Sequence, residues 1–303
     1  MKLVDRFFVA YGESFKNEML WDVAIRKKGK DNSRWQIIKS KKRYWNADPF
    51  LFEHDGSSYV FYERYDRKKE VGELVCRIIN EDLSFGEEFV VLSKSYHLSF
   101  PNVFEYNNEI YMIPETSGNH TLEVYIAENF PTKWSLYKTV CKDIFVADTI
   151  VLEKHPNQIQ LLACNTEKSP CCVENVKITC GADFSIIEKS LDKEMSDYGN
   201  RNAGRLLNCN GETIRPGQDC REDNYGKGVV LYKREDSEET EVKYITIQDL
   251  CLEDDKYSGI HTYNCTDEFE VVDLRYIIRR SFVQKVRLFL KLGTNYVKRR
   301  IRR

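Results

Sequence analysis

The stretch Trp45-Asn-Ala-Asp-Pro-Phe-Leu-Phe-Glu-His-Asp-Gly-Ser-Ser-Tyr-Val-Phe-Tyr-Glu63 lies, from Asn46 onward and without a gap, over Leu98-Ser-Phe-Pro-Asn-Val-Phe-Glu-Tyr-Asn-Asn-Glu-Ile-Tyr-Met-Ile-Pro-Glu115. Phe52, Tyr59 and Glu63 then match Phe104, Tyr111 and Glu115. Each stretch is an apolar run, a turn of Asp, Gly or Asn, and a second alternating run, which is the pattern of a β-hairpin. A third copy joins Val146-Ala-Asp-Thr-Ile-Val-Leu152 to Gln158-Ile-Gln-Leu-Leu-Ala163, and a fourth joins Arg201-Asn-Ala-Gly-Arg-Leu-Leu207 to Gly211-Glu-Thr-Ile-Arg-Pro-Gly-Gln218. A repeat of this length, with two more strands after each hairpin (Gly72 to Ile79 and Glu87 to Leu92 in the first copy), is a propeller blade.

The two ends supply the missing blade. Met19 to Arg26 and Trp35 to Lys39 read as third and fourth strands, and Ile260 to Tyr263 and Phe269 to Asp273 as the inner pair. Joining them closes a ring and removes the sheet edges on which other chains would pair. The expected fold is therefore all-β: a five-bladed β-propeller over residues 1–274, closed by N- and C-terminal strands, with a basic amphipathic α-helical tail over 275–303.

Composition limits the function. At 42% hydrophobic and 31% charged residues the chain can bury a full core, and it has no apolar run of about 18 residues to span a bilayer. The formal charge of -2 averages two unlike regions. From Arg275 to Arg303 there are 11 Lys or Arg and no acidic residue, leaving 35 basic and 48 acidic side chains in the first 274 residues. An acidic body excludes a nucleic-acid partner, whose footprint is a basic patch on the fold. No secretory signal is read at Met1 to Ala10, so the 10 cysteines are expected as thiols in a cytoplasmic protein. Cys164, Cys171, Cys172 and Cys180 contain no C-x-x-C pair, and neither a metal site nor a cofactor is expected.

In a propeller the first strands begin at the central funnel, so their starting residues converge. Asn46, Asp48, Asn102, Asp148, Arg205 and His261 occupy such positions, with Arg201 and Thr262 beside them. Carboxylates, amides and arginines together suit a hydroxyl-rich ligand, and two carboxylates from different blades can act as acid and base in glycosyl transfer. Asp48, Asp148 and Glu115 are the candidate catalytic groups. Glu63, like Glu115, ends a second strand, where it serves either the fold or the ligand. Arg215-Pro-Gly-Gln218-Asp219, followed by Tyr225, reads as a broken strand and a functional loop. Arg205 and Arg215 either clamp a ligand phosphate or carboxylate, or pair with the body's own acids.

Taken in order, these motifs carry a resemblance: Asn46-Ala-Asp-Pro-Phe-Leu-Phe52 with Tyr59-Val-Phe-Tyr-Glu63, Ser99-Phe-Pro-Asn-Val-Phe104 with Tyr111-Met-Ile-Pro-Glu-Thr116, Ala203-Gly-Arg205 with Arg215-Pro-Gly-Gln-Asp219, and Gly259-Ile-His-Thr-Tyr263. From Trp45 to Asp273 the chain resembles the domain at the N-terminus of the plant glucosamine inositolphosphorylceramide transferases, shared by bacterial stand-alone relatives. The resemblance implies a five-bladed propeller similar to glycoside hydrolases of the arabinanase and invertase type. Those hydrolases use three acids from the first three blades. Here Asp48 and Asp148 correspond, but Phe100-Pro101-Asn102 stands at the second blade's start. In the plant enzymes the transferase chemistry is attributed to a separate domain.

In the tail, Phe282, Val286 and Phe289 recur at helical spacing among basic residues, and Lys298, Arg299 and Arg300 open a basic cluster. Such a helix either lies on an anionic membrane surface or docks on the acidic propeller. The expectation is a carbohydrate-active protein at the inner face of the cell membrane, acting on a glycolipid, a nucleotide-sugar or a surface-polysaccharide precursor. The alternative is a non-catalytic glycan-binding module that positions a sugar for a partner transferase or formyltransferase.

Overall fold

The computed structural model describes residues 15–29, 34–221 and 225–289. β1 (Asn17–Lys27) and β2 (Gln36–Ile38) form the outer half of the closing blade. The first blade is β3 (Tyr44–His54), β4 (Ser57–Asp66), β5 (Val71–Ile79) and β6 (Phe89–Leu92). The second is β7 (Ser99–Tyr106), β8 (Glu109–Glu115), β9 (Thr121–Asn129) and β10 (Lys133–Lys142). The third is β11 (Val146–His155), β12 (Gln158–Asn165), β13 (Val173–Gly181) and β14 (Ile186–Ser196). The fourth has a split inner strand, β15 (Tyr198–Asn202) and β16 (Leu207–Cys209), then β17 (Glu212–Asp219), β18 (Gly228–Glu235) and β19 (Glu238–Thr246). β20 (Tyr257–Gly259), β21 (Tyr263–Cys265) and β22 (Phe269–Arg279) complete the fifth.

The expected closure is what forms. β1 pairs antiparallel with β22 from Asn17↔Arg279 to Lys27↔Phe269, so the ring is sealed by strands from opposite ends of the sequence. β22 runs past residue 274 to Arg279, and a helix, α1 (282–289), follows it.

Four apolar clusters fill the seams between blades. Phe50, Phe61, Phe100, Met112 and Trp134 join the first blade to the second, and Phe104, Ile113, Leu161 and Phe184 the second to the third. Val23, Val60 and Tyr62 join the fifth to the first, and Val229, Ile260 and Leu274 the fourth to the fifth. The seam between the third and fourth blades is instead ionic. Arg234 binds Asp192 at 2.7 Å, Lys193 binds Glu239 at 2.9 Å, and Arg215 binds the same Glu239 at 2.5 Å.

Two inner strands depart from the expected continuous runs. In the fourth blade residues 203–206 leave the ladder, and the backbone N–H of Arg205 donates to Asn264 Oδ1 at 2.8 Å. In the fifth, residues 260–262 do the same, and the N–H groups of His261 and Thr262 donate to Asp273 Oδ1 at 2.9 and 3.0 Å. The expected break at Arg215-Pro-Gly does not occur. These residues lie inside β17, where Gly217 is required because a Cβ there would come within 2.1 Å of the Gly199 carbonyl oxygen.

Candidate functional site

β3, β7 and β11 slip register with their partners at the same place: between Ala47 and Phe50, Ser99 and Asn102, and Ala147 and Ile150. Asp48, Phe100 and Asp148 sit in these bulges with φ of 51°, 49° and 45°. Left-handed backbone costs a residue with a side chain about 1 kcal/mol or more, so surrounding packing must hold each bulge. Re-aiming side chains is what bulges beside sites do. Here they bring Asp48 and Asp148 among residues of the neighbouring blades, whereas Phe100 turns inward against Phe50, ring centres 4.7 Å apart.

Asp48 belongs to a knot of charges. His261 Nε2 lies 3.0 Å from Asp48 Oδ1 and its Nδ1 2.8 Å from Asp273 Oδ2. Thr262 donates its hydroxyl to Asp48 at 2.9 Å, and the N–H groups of Phe100 and Asp48 donate to Asp48 and Asp273 at 3.2 Å. Burial opposes the charge on His261, but Asp273 and Asp48 outweigh it and hold the imidazole up at about 10. Burial likewise works against ionising Asp48, yet His261 and Thr262 keep its carboxyl low. The ligand atoms of Asp48, His261 and Asp273 lie within 4.8 Å of one another, a spacing that admits a metal ion. As they stand, His261 bridges the two carboxylates and Asp273 accepts backbone N–H bonds on both oxygens, so the three residues form an ion-pair knot.

Across the funnel, Arg201 Nε meets Asp148 Oδ2 at 2.5 Å, and Arg201 Nη2 lies 3.6 Å from Glu115 Oε2. Gln218 donates to Asp148 at 3.0 Å. Burial pushes the Asp148 carboxyl up to about 7 against the pull of Arg201, with Glu115 and Asp48 adding to the rise. Tyr225 spans the two halves: its ring centre is 4.9 Å from that of His261 and 5.5 Å from the Arg201 guanidinium carbon.

Glu63 is the third element. Its partner in the ladder is Ala47, beside Asp48, because the end of a second strand lies next to the start of the first. Glu115 pairs with Ser99 in the same way, so both second-strand ends belong to the funnel. Burial, then Asp48, Glu115 and Asp273, raise the Glu63 carboxyl well above the carboxylate range. His97 accepts the Gly72 N–H on Nδ1 at 3.0 Å, which leaves the proton on Nε2, 3.6 Å from Glu63 Oε1. Burial keeps this imidazole neutral, with Asp48 opposing weakly. Gly72 has no substitute here, since a Cβ would stand 2.4 Å from the Leu98 carbonyl oxygen and 2.5 Å from Glu63 Oε1. Glu63 Oε1, Glu115 Oε2 and Gln218 Oε1 are buried oxygens without a hydrogen-bond donor among the described residues.

Other expected ligand groups are taken up by the fold. Arg215 is fully buried and bonds Glu239, Asn202 and the Gly199 carbonyl, so of the two expected roles it fills the pairing one. Asp219 is occupied by Arg221 and Tyr244. Asn102 donates to the Thr149 carbonyl at 3.2 Å, an interblade staple, and Asn46 to the Ile38 carbonyl at 3.4 Å. Arg205 lies further down the axis, over Phe50 and bonded to the Val103 carbonyl, away from the carboxyl groups. Phe282, Val286 and Phe289 lie on α1, and Lys298, Arg299 and Arg300 fall outside the described residues. Asp273, His97 and Trp21, whose ring centre is 4.1 Å from that of His261, were not expected. Asp273 had a readable signal: in the sequence the inner pair of the fifth blade is read as ending there, as the first two hairpins are read as ending at Glu63 and Glu115.

Among solved structures, the chain is similar to the catalytic domain of a family 62 α-L-arabinofuranosidase from Coprinopsis cinerea, with TM-score 0.58, 9% identity, and 83% of this chain and 97% of that one covered. It is also similar to a family 43 β-xylosidase/α-arabinofuranosidase from a compost metagenome, with TM-score 0.54, 10% identity, and 80% and 92% covered. At such identities the likeness concerns the fold. In sequence it is 31% identical over 211 residues to glucosamine inositolphosphorylceramide transferase 1 of Arabidopsis thaliana, covering 65% of this chain and 27% of that protein. The Oryza sativa subsp. indica relative of the same name is 28% identical over 236 residues, covering 72% and 30%. The chain thus spans less than a third of these relatives. Residues 37–284 match the family model described as glucosamine inositolphosphorylceramide transferase 1, N-terminal, and the chain belongs to that family.

Proposed function

We propose that the funnel is a carbohydrate site that transfers or cleaves a glycosyl group of a glycolipid or surface-polysaccharide precursor, with Glu63 as the proton donor. The observation that carries this reading is the spread of proton affinities in one buried cluster: Glu63 is held protonated, Asp148 sits at about 7, and Asp48 is kept anionic. Carboxyl groups driven apart in this way divide acid from base. Glu63 protonates the leaving oxygen. Asp148, released by Arg201, accepts a proton from the incoming hydroxyl, and Asp48 with Glu115 stabilises positive charge developing at the anomeric carbon. The donorless oxygens of Glu63, Glu115 and Gln218 are acceptors that sugar hydroxyls would satisfy.

This differs from the assignment made on sequence, which gave catalysis to Asp48, Asp148 and Glu115 and ligand binding to Glu63. Glu63→Gln tests it, because an amide mimics the protonated carboxyl and preserves the packing. On 4-nitrophenyl glycosides and nucleotide-sugars, turnover falls about 100-fold or more while binding on a glycan array is retained. Unchanged turnover overturns the role of Glu63. A second reading, a glycan-binding module for a partner transferase, is favoured by Asp48, whose carboxylate is already taken up by His261 and Thr262. Glycan binding by the wild type with no turnover of any probe supports that reading over the first.

A further inference from the structure

We infer that α1 and the rim beside it form a docking surface for an anionic bilayer, and that this surface points the funnel mouth at the membrane. The inference is independent of the chemistry inside the funnel. It begins with direction: first strands start, and second strands end, on the funnel face, as Ala47↔Glu63 and Ser99↔Glu115 show. β22 is a second strand, and α1 leaves its end, so the helix stands on the funnel side of the ring.

The helix is fixed there. Ser281 and Gln284 cap it reciprocally, the Ser281 N–H donating to Gln284 Oε1 at 2.7 Å and the Gln284 N–H to Ser281 Oγ at 3.3 Å. Gln284 Nε2 also donates to Glu18 Oε2 at 3.0 Å, and the Arg280 N–H to the Lys16 carbonyl at 2.9 Å. Gln284 and Leu288 therefore make the inner face. The apolar stripe is on the other side: Phe282 is 81% exposed, Val283 61% and Phe289 50%. The two sequence alternatives, docked helix and membrane helix, thus describe opposite faces of one element.

Charge selects the occupant. Between α1 and the turn after β4 lies a cleft of about 620 Å³ lined by Arg43, Arg67, Lys68, Arg280 and Arg287, against Glu18 and Glu70. On α1 itself Lys285 and Arg287 flank the apolar stripe. In the cleft behind it, where Arg43 is paired with Asp66 and Arg67 and Arg280 share Glu18, the cations still outnumber the acids, which complements acyl chains beneath anionic headgroups.

The full-length protein is tested by co-sedimentation with phosphatidylcholine vesicles with and without phosphatidylglycerol. Binding is expected only with the anionic lipid. Phe282→Glu with Phe289→Glu lowers it at least about tenfold, while Val242→Glu, at an exposed apolar residue of β19, leaves it unchanged. Hydrogen exchange of the bound protein slows in α1 and the funnel-side segments 67–70 and 115–120, and is unaltered in the opposite hairpin turns at 55–56, 107–108 and 156–157. No vesicle binding, binding that survives the phenylalanine changes, or protection on the opposite turns overturns the inference.

Discussion

The seams between the first and second blades and between the third and fourth do the same mechanical task with different chemistry. In the first, Phe61, Phe50, Phe100 and Trp134 interlock, with ring centres of Phe61 and Trp134 6.2 Å apart and Phe61 fully buried. In the second, Arg215 and Arg234 converge on Glu239 while Asp192 and Lys193 reach across from the third blade. The apolar seam gains by leaving water and tolerates wide conditions. The ionic one is held only while every charge keeps its partner, because desolvated ions are costly alone. One ring therefore contains a joint insensitive to pH and a joint governed by it.

Phe61→Ala gives the largest expected loss, about 4 kcal/mol in urea unfolding, from lost burial and the cavity left behind. The same value at pH 3 and pH 7 supports the apolar character of that seam. Arg215→Met follows at about 3 kcal/mol at pH 7, since it strands Glu239 with fewer cations. A loss below about 1 kcal/mol, the range of a surface pair, breaks the contrast between the seams. The pH dependence sharpens it. Although burial opposes the charge, Arg215 and Lys193 hold Glu239 down at about 2 from 4.5, so its contribution is complete above 4.5 and disappears as pH falls toward 2. The cost of Arg215→Met should shrink over that interval, measured by urea midpoints, whereas that of Phe61→Ala should not.

The knot at the funnel carries the opposite sign. His261 is raised from 6.5 to about 10, so its contribution is complete below 6.5 and is lost as pH rises through 10. His261→Asn is expected to cost about 2 kcal/mol at pH 6 and to approach the wild type by pH 10, read from thermal midpoints across pH. A gap that widens with pH would mean that the imidazole is not held charged. Smallest is Asn102→Ala, about 1 kcal/mol by urea unfolding, for one staple to the Thr149 carbonyl.

The blades were legible because a hairpin writes itself locally, in alternation and turn residues, and because five copies repeat it. Asp48, Phe100 and Asp148 fall at matching positions of three copies, but nothing in the sequence marks those positions as bulges. What the sequence could not show is which side chains meet between blades. Arg234 with Asp192, or Arg201 with Asp148, join residues dozens of positions apart with no shared motif, and Arg215 reads the same whether it faces a ligand or Glu239. Between the two roles left open for Glu63, what decides is that antiparallel pairing returns a second strand's end to the first strand's start, as it also does for Glu115.

The β1–β22 pairing also has a kinetic consequence. Its register joins residues at opposite ends of the sequence, and such contacts carry the greatest chain-closure entropy of any in the ring. Four blades can assemble from neighbouring segments, but the fifth waits for both partners. Until then β22 has an open edge, and a folding chain delayed at that stage is the species most prone to pair with another copy of itself.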